Sequence, residues 1–112
     1  MLRPANLIGS FLVLVICVSA ALGQTGTSGI SGTVRDANGS VVPGATVTAK
    51  SDATNVPQSQ TTTDAGLFAF PSLPVGNYTI TVEKSGFKTF KKTGNTLGVG
   101  TPLTVDATME VG

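Results

Sequence analysis

The sequence predicts an all-β domain: a Greek-key-like sandwich of about seven short strands. Three observations carry this. The chain is rich in Thr and Val, whose branched Cβ suits a pleated surface better than a helix. It holds 14 Gly and 6 Pro, which cut it into short segments. Turn signals recur about every ten residues, with no 3.6-residue apolar period between them. The 112 residues suffice for one domain.

Residues 1–23 have the three parts of a secretory signal peptide. Arg3 is the positive start, Leu7 to Val18 an almost unbroken apolar run, and Ser19, Ala20, Ala21 and Gly23 the small residues that follow. Ala21-Leu22-Gly23 fits the small-x-small rule for signal peptidase, which places the cut before Gln24. The apolar run is short against the ~20 residues that span a bilayer, so a cleaved leader is expected over an uncleaved anchor. The mature chain is then expected to have no transmembrane span and to be exported or secreted.

Residues 24–29 (Gln-Thr-Gly-Thr-Ser-Gly) form a flexible lead-in with nothing to bury. Ile30 to Arg35 alternates, with Ile30, Gly32 and Val34 on one face. Asp36-Ala37-Asn38-Gly39 is a turn, and Val41-Val42-Pro43-Gly44 bends the chain again. Ala45 to Lys50 is a second strand, with Ala45, Val47 and Ala49 on the inner face. Ser59 to Thr63 reads as a third, polar enough for a sheet edge. Asp64-Ala65-Gly66 turns into Leu67 to Phe70, and Pro71 to Gly76 reads as a prolyl loop. Tyr78 to Glu83 is the clearest strand, with Tyr78, Ile80 and Val82 inward and Thr79, Thr81 and Glu83 outward. Phe87 to Lys92 follows. Its two rings are three residues apart, which predicts a bulge or one ring on the outer face. Leu103 to Glu110 is the last strand, with Leu103, Val105, Ala107 and Met109 inward.

Loss of the leader removes Arg3, one of 7 basic residues, and leaves 6 against 6 acids, a net charge of 6 − 6 = 0. A neutral chain gives no support for nucleic-acid binding. It also removes Cys17, the single cysteine, so no disulfide or thiol nucleophile is expected. There is no His, no pair of acids close in sequence, and no metal-ligand spacing. No catalytic residue, metal site or cofactor is predicted, and the chain is not expected to be an enzyme. Asp36 to Ser40 has the start of a calcium loop without its distant Glu, and a plain turn is the better reading.

Several segments carry a resemblance: Ile30-Ser31-Gly32-Thr33-Val34-Arg35-Asp36, Val42-Pro43-Gly44-Ala45-Thr46-Val47, Thr63-Asp64-Ala65-Gly66-Leu67-Phe68, Leu73-Pro74-Val75-Gly76-Asn77-Tyr78-Thr79-Ile80 and Ser85-Gly86-Phe87. In this order they resemble the carboxypeptidase regulatory-like domain, a transthyretin-like sandwich. The resemblance covers residues 30–110 and implies an accessory module, since in carboxypeptidases this domain accompanies a separate zinc catalytic domain. A leader followed directly by such a domain is similar to the start of Oar-type TonB-dependent outer-membrane receptors. There it lies in the periplasm ahead of a plug and a β-barrel. The sequence ends at Gly112 without plug, barrel or TonB box, so a fragment, a truncated frame and a stand-alone monomeric module are all expected forms.

One basic-aromatic cluster stands out: Lys84, Phe87, Lys88, Phe90, Lys91 and Lys92. As a site it would contact an acidic partner, a glycan or anionic lipid; the partners expected of the module are a receptor plug or barrel, another envelope protein or a glycan. As structure it is a solvated strand whose lysines discourage edge-to-edge pairing, and this plainer reading is favoured. A carbohydrate-binding module, with a fold like that of starch-binding domains, is the alternative function. It is weakened by the absence of Trp.

Overall fold

The computed structural model describes residues 26–112. The leader expected over residues 1–23 lies outside them, as do Gln24 and Thr25. The described residues are all strand, turn and loop: β1 (Thr27–Asp36), β2 (Thr46–Ser51), β3 (Pro57–Thr61), β4 (Leu67–Pro74), β5 (Gly76–Glu83), β6 (Phe90–Leu97), β7 (Leu103–Thr104) and β8 (Ala107–Met109). One sheet runs β4-β1-β7, with β8 continuing beside β1; the other runs β3-β2-β5-β6. β1 pairs antiparallel with β4 but parallel with β7 and β8. All pairs in the second sheet are antiparallel.

The period-two pattern decides which face each strand buries. Ile30 and Val34 of β1, Val47 and Ala49 of β2, Phe68, Phe70 and Leu73 of β4, and Tyr78, Ile80 and Val82 of β5 meet between the sheets, all buried. Phe68 and Phe70 pack edge to face, ring centroids 6.2 Å apart, the arrangement the ring quadrupole favours. Leu97, Val105, Ala107 and Met109 close the core.

Buried polar groups are satisfied inside this frame. Thr62 Oγ1 accepts from the Ala45 amide and donates to the Val42 carbonyl, each at 2.8 Å. Asn95 Nδ2 donates to the carbonyls of Tyr78 (3.0 Å) and Lys92 (2.8 Å). This ties down the β5–β6 bulge, where the register shifts between Tyr78 and Ile80 and Gly94 takes a φ of 71° that few other residues accept.

Five boundaries differ from expectation. Strand β1 begins at Thr27, inside the stretch expected as a lead-in, because Thr27 and Ser28 pair with Pro74 and Leu73 of β4, and Ser28 is buried. The prolyl loop is instead the second half of β4: Pro71 falls at the register shift between Ser28 and Ile30 and Pro74 at the strand's last residue. An edge strand tolerates proline at such places because few of its donors are needed. Strand β6 starts at Phe90 and runs on to Leu97, and Phe87 makes a separate bridge to Val111. The expected bulge is real but lies at Thr93–Gly94, not between the rings. Strand β3 runs from Pro57 to Thr61, so it starts and ends two residues early; it ends where Thr62 turns its hydroxyl into the core.

The last strand is broken into β7 and β8, which makes eight strands rather than seven. At the break the Val105 amide donates to the Ser31 carbonyl at 2.8 Å. The Asp106 carboxylate accepts the Thr33 amide at 3.1 Å. Leu103, Val105, Ala107 and Met109 still face inward as expected; Leu103 is partly buried and the others fully.

Candidate functional site

The basic-aromatic cluster is divided by the fold. Phe87 and Phe90 are half-buried and packed against the core, with Phe90 opposite Val82, so neither ring lies open as a stacking platform. Lys88 stands near Glu110, Nζ to Oε2 4.0 Å, with both side chains well exposed; such a pair contributes little. Lys91 lies opposite Thr81 on the outer face of the second sheet, and Lys92 opposite Ile80 on the inner-facing side of the edge, yet exposed. Lys84 and Phe87 do come together. With Gly44, Thr46, Glu83 and Ser85 they line an open depression of about 470 Å³.

A second depression, of about 310 Å³, lies on the outer face of the β2–β5–β6 sheet. It was not predicted as a site, although the alternation that points Thr48, Lys50, Thr79 and Thr81 outward was readable. Register places Thr48 beside Thr81, Lys50 beside Thr79, and Thr81 beside Lys91. The result is a flat face of hydroxyls with an ammonium at two corners. Asp52 lies on it too, accepting from Thr79 Oγ1 at 2.9 Å.

The remaining polar groups serve the frame. Asp36 Oδ1 accepts the amides of Asn38 (2.9 Å) and Ser40 (3.0 Å). This carboxylate closes its own turn, in keeping with the plain-turn reading. The single tyrosine donates from its hydroxyl to the Pro74 carbonyl at 2.6 Å, and burial pushes its phenol above the ordinary value. Among the described residues no three His, Cys, Asp or Glu side chains converge on one point, and no helix is long and apolar enough to cross a membrane.

Fold and surface together define a small two-sheet β module whose accessible chemistry is hydroxyl and ammonium groups on flat faces. The chain belongs to the carboxypeptidase regulatory-like domain family, whose model matches residues 29–110. No curated protein matches the chain significantly. Among solved structures it is similar to a chlorocatechol 1,2-dioxygenase from Pseudomonas putida, with TM-score 0.63 and 15% identity over 77% of this chain and 61% of that one. It is similar also to the TIE protein of Bacillus anthracis, with TM-score 0.59 and 20% identity over 77% of this chain and 17% of that one. A candidate carbohydrate binding protein from Bacteroides uniformis gives TM-score 0.60 and 18% identity over 73% of this chain and 40% of that one. The chain thus spans less than two thirds of each of these neighbours. At these identities the likeness is one of fold.

Proposed function

We propose that the chain is a non-catalytic, exported interaction module, the periplasmic domain that precedes the plug and barrel of a TonB-dependent outer-membrane receptor. The carrying observation is position. The family match begins at residue 29, five residues after Gln24, the expected first residue once the leader is cut. With the expected leader cut, the sandwich would stand near the amino end of the exported chain, as the module does in such receptors. The likeness to dioxygenases is one of fold, and this chain brings no imidazole to it, because its sequence contains no His. Its carboxylates at positions 36, 52 and 106 are engaged in hydrogen bonds that hold turns and strands.

The test is the reading frame at the locus. A frame that continues past Gly112 into a plug and barrel is expected. A stop codon directly after Gly112 overturns the receptor assignment.

A second reading rests on the flat hydroxyl face. Thr48, Thr79, Thr81, Lys50 and Lys91 could hold a polar or acidic glycan by hydrogen bonds, and a similar fold occurs in the candidate carbohydrate binding protein. Against it, Phe68, Phe70 and Tyr78 are buried, which leaves that face no ring to stack on a sugar. Calorimetric titration with uronate-containing oligosaccharides separates the readings. Heat that vanishes in Lys50→Ala would favour the glycan.

A further inference from the structure

The outer edges of the two sheets are protected unequally. An open strand edge presents unpaired N–H and C=O groups, and stable monomers blunt it with proline, lysine, bulges or shortness. Strand β4 carries Pro71 and Pro74. Strands β7 and β8 have only 2 and 3 residues. Strand β6 has Lys91, Lys92 and the bulge at Gly94. Strand β3 has no such device beyond the proline at its first position. All five of its residues are exposed, no described strand pairs with its outer side, and Val56 to Thr63 contains no charged residue.

Its hydrogen bonds show which groups are free. The Thr62 amide donates to the Ala45 carbonyl at 2.9 Å, and the Val56 carbonyl accepts from the Ser51 amide at 3.1 Å. By the two-residue alternation of an antiparallel pair, residues 56, 58, 60 and 62 face β2. Pro57, Ser59 and Thr61 therefore direct their main-chain groups away from the sheet.

We propose that this edge is a self-association surface: two copies join β3 to β3, antiparallel, about a two-fold axis at Ser59. In that register the two Ser59 residues exchange both hydrogen bonds. Each Thr61 amide donates to the Pro57 carbonyl of the other copy. Every outward N–H of the strand is then paired, and the N–H that Pro57 lacks is never called for. Gln58 falls beside Gln60 of the second copy, so the amide side chains donate and accept reciprocally, an isologous match. No like charges meet along the strand. The occupant is a second copy because Gln-Ser-Gln reads the same from either end, as a two-fold requires. A four-stranded sheet becomes a continuous eight-stranded one, in place of the monomer that the sequence suggests.

A five-residue strand buries far less than the ~800 Å² per partner of a standard interface. The dissociation constant is accordingly on the order of 10⁻⁴ to 10⁻³ M. The test is a dilution series from about 2 mM to about 20 µM by two-dimensional amide NMR and sedimentation. It uses Gln24 to Gly112, which contains every described strand and every core residue among the described residues. Concentration-dependent shifts confined to Val56–Thr62 and the adjoining β2 residues, with mass rising toward twice the monomer, are expected. Ser59→Pro removes an outward donor and no main-chain bond to β2, at the cost of the exposed Ser59 Oγ–Thr48 Oγ1 hydrogen bond of 3.2 Å, and should abolish both effects.

A charge pair serves as the second probe. Gln58→Lys with Gln60→Lys should block association, Gln58→Glu with Gln60→Glu should block it alone, and mixing the two variants should restore it. Shifts that map elsewhere, a chain monomeric at the highest concentration, or self-association indifferent to these variants would each overturn the proposal.

Discussion

Gly32→Ala probes the point where the last strand breaks over β1. A Cβ built on Gly32 would lie 1.8 Å from the Val105 carbonyl oxygen, 2.7 Å from its carbon and 2.8 Å from Phe68 Cζ. Real Cβ contacts do not fall below 3.0 Å, so the carbonyl must retreat by at least 3.0 − 1.8 = 1.2 Å. The obstacle is main chain and cannot rotate aside. Two hydrogen bonds hold it there, Val105 to Ser31 and Asp106 to Thr33. Overpacking costs about 1–3 kcal/mol and each loosened hydrogen bond about 1 kcal/mol, so the loss should be about 3–5 kcal/mol. A domain of this size has roughly 4–13 kcal/mol of stability, so the variant should lose about a quarter or more of it. Gly98→Ala is the control: its nearest neighbour is Thr101 Cβ at 4.0 Å, and the change should be within ~0.5 kcal/mol. Urea denaturation followed by circular dichroism measures both. A Gly32→Ala chain within about 1 kcal/mol of the parent would refute the close approach of Val105.

Three further outcomes follow from the core. Thr62→Val leaves the Ala45 amide and Val42 carbonyl without partners and should cost about 2–5 kcal/mol in the same assay, whereas Thr62→Ser should recover most of it. Ile80→Ala, at a fully buried site, should cost about 2–5 kcal/mol, and Thr81→Ala, on the outer face, well under half of that; equal losses would mean the strand is inside out. The single tyrosine can be titrated by its ultraviolet absorbance. Burial raises its folded value, so the native state holds the proton more tightly. The stability this contributes is complete below the unfolded value of ~10 and is lost as pH rises through the folded one. Ionisation at the same pH in native and urea-unfolded protein would contradict the burial.

The parts of the fold legible in the sequence are those where one local rule acts alone. Tyr78 to Glu83 alternates without interruption, and its faces are as read. The inward set Leu103, Val105, Ala107 and Met109 is also as read, but the break between β7 and β8 was hidden. It depends on the Val105 carbonyl crossing Gly32, 105 − 32 = 73 residues away, and on Asp106 replacing a ladder bond. Pro71 and Pro74 signalled a loop because proline usually ends a strand; only the knowledge that β4 is an edge makes them acceptable. The second half of β6 is polar and contains Gly94, so nothing in its composition marked it as strand. The candidate surface was only half legible. Sequence proximity grouped six residues from Lys84 to Lys92, but sheet register sends Lys91 and Lys92 to opposite sides and packs both rings inward. The hydroxyl face and the unguarded β3 edge emerge only when β2, β3 and β5 are set side by side.

The proposed function requires that residues 1–23 are a cleaved leader and that the sandwich acts outside the cytoplasm. Amino-terminal sequencing of protein from the periplasmic fraction tests it most directly. The predicted first residue is Gln24; an intact Met1 on a product confined to the cytoplasm would contradict the account.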